Sequence, residues 1–183
     1  LAVGRFAGKK APLSTIKAFN KVLTQFPDAK LVMVGGKTGL YEECEKLVAT
    51  LGIQNSVEFT GIQNSEEVAQ RMSNALAFVQ HSITASNGDM EGTPLGILEA
   101  SASALPIVST LHGGIKEAVI HNETGYLVEE NDIDGMAKYM IKLLENPERA
   151  KEMGINGRNH IAKNHHQETQ VRKIFELAEL AIK

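Results

Sequence analysis

A single cysteine and no tryptophan occur among 183 residues, and aromatic side chains make up only 5%. A lone thiol closes no internal disulfide, so no bridged framework holds this fold. Cys44 shares a helical spacing with Leu47, Val48 and Leu51, and reads as a buried structural thiol rather than a nucleophile. Positive charge is in no excess: 19 basic against 22 acidic residues give a net charge of −3, which excludes a broad basic field recruiting nucleic acid. No apolar run approaches the roughly 20 residues of a membrane span. No secretory leader is seen, and a reducing, cytoplasmic setting is the expectation. The chain opens at Leu1 inside a strand-like run without methionine, which suggests a domain cut from a longer protein.

What is present is enough hydrophobic residue, 43%, for one domain over residues 1–183 with a real core. Strand-like and helix-like segments alternate. Residues 1–4, 30–35 (KLVMVG), 57–61, 75–80 (ALAFVQ), 106–110 (PIVST) and 125–128 read as strands. Between them, Ile16, Phe19, Leu23 and Phe26 keep a helical period broken at Pro27, and the Cys44 stripe stops at Gly52. A short helix is expected at 66–72, one from the Glu91 segment to about 103, and another ending at Asn146-Pro147. Two helices, about 148–163 and 167–182, close the chain, the last with Val171, Ile174, Phe175 and Ala178 on one face. Strands alternating with helices imply βαβ units and a parallel sheet covered on both faces. Ligands of such sheets bind outside the carboxyl ends of the strands. Gly4-Arg5, Gly35-Gly36, Gly61, Glu91 and Gly113 each follow a strand, so they converge on one rim.

The segment Glu91-Gly92-Thr93-Pro94-Leu95-Gly96-Ile97-Leu98-Glu99 places a helix start between two carboxylates. Thr93 is the expected N-cap and Pro94 the first helical residue. Free N–H groups around Leu95 and Gly96, with the positive end of the helix dipole, form an anion site. Carboxylates repel a phosphate, so Glu91 and Glu99 are fitted to hydroxyl groups, for which an ionised carboxylate is a pure acceptor. Phosphate beside hydroxyls describes a sugar nucleotide.

Other motifs narrow the reading. Gly36-Lys37-Thr38 resembles the end of a P-loop, but Leu31 stands where its first glycine is required, leaving a glycine turn that passes either a ligand or nothing. No G-x-G-x-x-G follows a strand. Arg5 and Lys10 flank the first loop on the ligand rim and suit a diphosphate, Arg as a planar fork and Lys as a point charge, with Lys9 expected to point outward. Two carboxylates also fit a glycoside hydrolase, which gives no reason for the phosphate-ready helix start. His160, His165 and His166 show no metal-ligand pattern. His81 and His112 follow strands on the rim, open to a loop hydrogen bond or a ligand contact alike, and Glu117 to a loop or a surface role.

In order along the chain, Val3-Gly4-Arg5-Phe6 with Lys9-Lys10, residues 31–36, Val57-Glu58-Phe59-Thr60-Gly61, the E-x7-E pair, Leu105-Pro106-Ile107-Val108, Gly113-Gly114 and Thr124-Gly125-Tyr126-Leu127-Val128 match one family. The chain resembles the C-terminal, nucleotide-sugar-binding half of a retaining GT-B-fold glycosyltransferase of group 1, over essentially its whole length. The run Asn87-Gly88-Asp89-Met90-Glu91-Gly92 is further similar to glycosyltransferases of bacterial exopolysaccharide synthesis. The resemblance implies a Rossmann-like three-layer α/β/α domain with about six parallel strands, one half of the GT-B fold. It implies that Arg5 and Lys10 bind the diphosphate and that Glu91 bonds the donor sugar. Gly92, Thr93, Pro94, Leu95 and Gly96 would touch sugar and phosphate through their backbone, and Glu99 would hold the ribose. Gly4 would border the site, and the loop after Gly61, including Ile62, the base. It implies no cofactor and no metal, a nucleoside-diphosphate hexose as donor, and a sugar or lipid-linked acceptor held by a separate N-terminal domain; the helix at 167–182 is open to packing on this domain or to contacting that one. Peripheral membrane association of the full-length enzyme is compatible with it, and the fragment alone is expected to bind donor without turnover. An epimerase or phosphorylase of the same architecture and a non-catalytic sugar-nucleotide-binding module are the rival readings. Ala11 and Ala104 stand where the family commonly has glycine, His81 and Lys116 where it has proline. A left-handed Ala104 would cost roughly 1 kcal/mol.

Overall fold

The computed structural model describes residues 1–164; the helix expected at 167–182, with His165 and His166, lies outside the described residues. Among the described residues six strands, β1 (Ala2–Val3), β2 (Leu31–Val34), β3 (Val57–Gly61), β4 (Phe78–Gln80), β5 (Ile107–Thr110) and β6 (Gly125–Val128), alternate with seven helices. These are α1 (Pro12–Val22), α2 (Tyr41–Leu51), α3 (Ser65–Asn74), α4 (Leu95–Ala102), α5 (Ile115–Ala118), α6 (Ile133–Glu145) and α7 (Pro147–Asn164), with a 3-10 turn at Gly8–Lys10 that the sequence suggested as loop.

All paired strands are parallel, in the orders β1-β2-β3 and β4-β5-β6. Leu1 joins the two sets: its ammonium donates to Ala77 O at 2.9 Å, and the Val79 N–H donates to Leu1 O at 2.8 Å. The spatial order is therefore β3-β2-β1-β4-β5-β6, a doubly wound sheet whose direction of winding reverses between β1 and β4. Ligands of such sheets bind at this reversal, beyond the strands' carboxyl ends.

Strand alternation divides the interior into two cores. Val79, Val108 and Val128 face α1, α2 and α6, around Ile16, Phe19, Cys44, Val48, Met136 and Leu143. Phe78, Ile107 and Leu127 face the other way, toward Met72 of α3, Ile97 and Ala100 of α4, Ile115 of α5 and Ile161 of α7. Truncating a fully buried isoleucine such as Ile97 or Ile107 costs about 2–5 kcal/mol, so each layer depends on its apolar face. α7 begins against the first core through Ala150 and Met153 and ends on the second. It crosses so close to the α4–β5 turn that a Cβ at Gly154 would overlap Ala104 O.

Local signals set the helix ends. Asn64 and Glu67 exchange hydrogen bonds in a capping box at α3, and Asp132 accepts the Gly135 N–H at α6. α4 departs from expectation: Pro94, extended at φ −64° and ψ 121°, is the N-cap, and Thr93 makes no cap. β4 is also shorter than expected, because α3 runs on to Asn74 and the Ala75 N–H still bonds back to Met72 O.

Candidate functional site

The reversal point gathers residues from β1, the 3-10 turn, β4, the α4 entry and the β5–α5 and β6–α6 turns. A cavity of about 30 Å³ there is lined by Val3, Gly4, Arg5, Lys10 and Gln80 among others. A larger one, about 330 Å³, sits at the amino ends of the strands, lined by Phe19, Leu31 and Leu143, at the edge opposite to that used by ligands of parallel sheets.

Lys10 is the hub. Its ammonium lies 3.3 Å from Glu91 Oε1 and donates to Gln80 Oε1 at 3.4 Å. Gln80 is buried and donates to Ser82 Oγ at 2.8 Å, so its carbonyl is turned toward the lysine. Lys9 points inward, against expectation: it donates to Asp89 Oδ1 at 3.1 Å and to Met90 O at 3.3 Å, and lies 3.9 Å from Glu91 Oε1. The reason is the return of the 82–90 loop over the 3-10 turn, where the Ile83 N–H bonds Lys9 O at 2.9 Å and Asp89 is set opposite Lys9.

Glu91 is 9% exposed, and its Oε1 accepts no hydrogen bond of normal geometry from the described residues. A carboxylate held in that state by two ammonium groups keeps acceptor capacity for a hydroxyl. Arg5 is exposed and makes no ion pair among the described residues, so its guanidinium is available to an anion. At α4 the first helical bonds run from Ile97 and Leu98 N–H to Pro94 O. The Leu95 and Gly96 N–H groups ahead of them have no helical acceptor, as at any helix start. Leu95 is exposed, as is Glu99 on the second turn. Ile62, after Gly61 at the end of β3, is 85% exposed.

The β5–α5 turn clasps the Glu91 segment. Gly113 has φ +49°, and a Cβ there would overlap Glu91 O; one at Gly114 would overlap Thr93 Oγ1. The Gly114 N–H donates to Gly92 O at 2.8 Å. Gly35 likewise packs on backbone, since a Cβ there would overlap Gly4 O, which accounts for the glycine turn without a ligand.

Both rim histidines are buried and make protein hydrogen bonds. His81 Nε2 accepts the Asn131 N–H at 2.8 Å, with Nδ1 3.3 Å from Met136 Sδ, and burial holds its pKa below the ordinary 6.5. His112 lies between the Glu91 amide and Glu130. The Glu130 carboxyl is held below its ordinary range by that contact first and by the Thr84 N–H second. Cys44 is fully buried, with its pKa pushed up to about 12 by burial and by Glu43, as fits a structural thiol. No group of three or more metal-ligating side chains forms among the described residues, and none of their helices is long and apolar enough to cross a membrane.

Arg5, Lys10, Glu91, Gly4 and the α4 start thus lie along one rim; of the two readings open for His112 the loop hydrogen bond is the one observed, while Gln80, Glu130 and the inward turn of Lys9 were not foreseen. Gln80 carried a signal, a carboxamide ending an otherwise apolar strand. The others are defined by partners distant in sequence.

Comparison with known proteins agrees with this fold. Residues 1–160 match the family model for glycosyl transferases group 1. The chain is 28% identical over 179 residues to the amylovoran biosynthesis glycosyltransferase AmsK of Erwinia amylovora, covering 98% of this chain and 44% of that protein. It is 34% identical over 158 residues to a GDP-mannose-dependent monoacylated alpha-(1-6)-phosphatidylinositol monomannoside mannosyltransferase of Corynebacterium glutamicum, covering 86% and 40%. Among solved structures, HepE of Anabaena in complex with UDP-glucose superposes with a TM-score of 0.82 at 20% identity, covering 97% of this chain and 48% of that one. The fold is that of one half of the GT-B glycosyltransferases, and the chain belongs to the group 1 glycosyltransferase family. It spans less than half the length of these relatives.

Proposed function

We propose that residues 1–183 are the donor-binding domain of a retaining glycosyltransferase that moves a hexose from a nucleoside diphosphate to a sugar or lipid-linked acceptor in cell-surface polysaccharide synthesis. The observation that carries the reading is the buried Glu91 carboxylate, paired with Lys10 and set directly before a helix start. That pairing fits a ligand with hydroxyls on one side and phosphate on the other. A relative that uses GDP-mannose and a fold neighbour solved with UDP-glucose support the sugar-nucleotide class.

In this reading the diphosphate lies between Arg5, Lys10 and the Leu95 and Gly96 N–H groups. As the glycosidic bond to phosphate breaks, negative charge grows on the leaving oxygen. Fixed cations and amides placed before the reaction stabilise it without reorganising. Lys10 has three N–H donors, so Glu91 and Gln80 can orient it while a third proton meets phosphate. Glu91 accepts sugar hydroxyls and Glu99 the ribose hydroxyls; Gly61 and Ile62 border the base. The backbone of Gly92, Thr93 and Pro94 lines the sugar side. No metal or cofactor takes part. The acceptor and the remaining catalytic groups come from an N-terminal domain.

The test is product analysis with a full-length protein carrying this chain, supplied with sugar nucleotides and glycan or lipid-linked acceptors. The expected product is a new glycosidic bond with the donor's anomeric configuration, read by proton NMR. An epimerised sugar nucleotide, a sugar phosphate or no turnover would contradict it.

A further inference from the structure

His112 lies in the β5–α5 turn, two residues beyond Thr110, with its side chain 1% exposed. Its Nε2 accepts the Glu91 N–H at 3.1 Å. A ring nitrogen that accepts must carry its lone pair, so the imidazole proton sits on Nδ1. Nδ1 faces Glu130 Oε1 at 2.5 Å. Glu130 Oε2 in turn accepts the Thr84 N–H at 2.9 Å, from the loop that leads into Glu91. The chain of contacts Thr84–Glu130–His112–Glu91 therefore starts and ends on the same polar loop, and His112 holds its carboxyl end. The neighbouring glycines complete the grip, Gly113 packed on Glu91 O and Gly114 bonded to Gly92 O. Glu130 is itself steadied, because the next N–H, from Asn131, is anchored on the buried His81.

We propose that His112 is a positioning residue for the sugar-binding carboxylate: in its neutral, Nδ1-protonated form it fixes the Glu91 backbone, and so sets affinity for the donor's sugar rather than for its nucleotide. The proposal rests on the donor-site reading above. A buried carboxylate can bond a hydroxyl well only if its Cα is held to a fraction of an ångström. The charged groups around the ring are Glu130 from the β6–α6 turn and Glu91 from the α4 entry, with Lys9 and Lys10 beyond Glu91. With its lone pair on Nε2, the ring accepts the Glu91 N–H while its Nδ1 proton faces Glu130.

Two amide substitutions separate the ring's two functions. In His112→Gln the side-chain carbonyl reaches the Nε2 position and can accept the Glu91 N–H. In His112→Asn the amide reaches only the Nδ1 position and serves Glu130. Calorimetric titrations of the 183-residue chain with UDP, GDP and their glucose and mannose conjugates give the sugar's contribution as a ratio of affinities. His112→Asn is expected to lower that ratio about tenfold, the worth of one well-placed hydrogen bond, with nucleoside diphosphate affinity kept, while His112→Gln restores most of it. Equal loss of sugar and nucleotide affinity in both variants, or no loss in His112→Asn, would overturn the proposal. Long-range nitrogen NMR of the wild-type imidazoles and amide exchange at Glu91 read the anchor without ligand. Expected are an unprotonated Nε2 and a Glu91 amide that exchanges faster in His112→Asn than in His112→Gln; a proton on Nε2 overturns the proposal. If wild-type protein bound no sugar nucleotide, the donor-site reading would fall, and these two spectra alone would decide for or against the anchor.

Discussion

Lys10 and Glu91 form a half-buried ion pair, 3.3 Å from ammonium to carboxylate, across the line where the sheet reverses its winding. Lys10 comes from the loop after β1 and Glu91 from the loop after β4, so the pair ties the sheet's two halves together at the candidate site. Removing one partner leaves the other charge poorly compensated. Lys10→Ala is expected to lower unfolding stability by about 1–2 kcal/mol, less than for a fully buried pair because Lys9 lies 3.9 Å away. Urea denaturation should find the double variant Lys10→Ala with Glu91→Gln more stable than Lys10→Ala alone, since the stranded charge is gone. Additive losses would mean that the two groups are not coupled.

Glu99 offers a test with little structural side effect. It is exposed on the second turn of α4, so Glu99→Ala should fold and melt as the wild type does. If its carboxylate holds the ribose through charge-assisted bonds, the substitution costs about 1.5–3 kcal/mol of nucleoside diphosphate binding. Calorimetry would read this as a loss of about 10- to 150-fold.

Ala104 sits in the left-handed region at φ +60° and closes α4 by a Schellman motif, with Ala104 N–H bonded to Ser101 O at 2.9 Å and Leu105 N–H to Ala100 O at 3.0 Å. A Cβ is strained there. Ala104→Gly should therefore raise stability, by up to about 1 kcal/mol after the entropy of the unfolded glycine is deducted. A raised thermal midpoint checks it. The cost anticipated from the family's glycine at this position thus has its geometric basis.

Acid should destabilise the domain from near-neutral pH downward. His81 is buried with its folded pKa below the ordinary 6.5, so below that value the unfolded chain takes up a proton that the folded chain refuses. Its contribution is present above 6.5 and lost as pH falls. Glu130 acts lower on the scale: its folded pKa is depressed from 4.5, so its contribution is present above 4.5 and disappears as pH drops through the depressed value. Urea midpoints measured between pH 8 and 4, on the basis of the ordinary histidine and carboxylate ranges, should fall from about 6.5 downward. His81→Asn should flatten the first part of that fall.

The layered fold was legible because it depends on local pattern. Apolar strands at regular spacing, the stripe of Ile16 and Phe19, the stop at Gly52 and the end of α6 at Asn146-Pro147 are all short-range signals. What escaped depends on contacts made far along the chain. Lys9 turns inward because Asp89 lies opposite it, and the loop hydrogen bonds that the sequence left open for His112 and His81 have partners, Glu91, Glu130 and Asn131, that no local pattern names. The cap of α4 was misjudged for a subtler reason. A proline φ of −64° suits both the cap and the first helical position, and only its ψ of 121° decides that Pro94 is the cap. Thr93 is then left packed against Gly114.

In the proposed reading this domain holds a sugar nucleotide at the reversal point. The most direct test is calorimetric titration of the wild-type chain with UDP, GDP and ADP and then with their hexose conjugates. Expected is selective binding of one nucleoside diphosphate, strengthened by one sugar and reduced in Glu99→Ala. Absence of binding both to this chain and to the full-length protein that carries it would mean that the reversal point holds no sugar nucleotide.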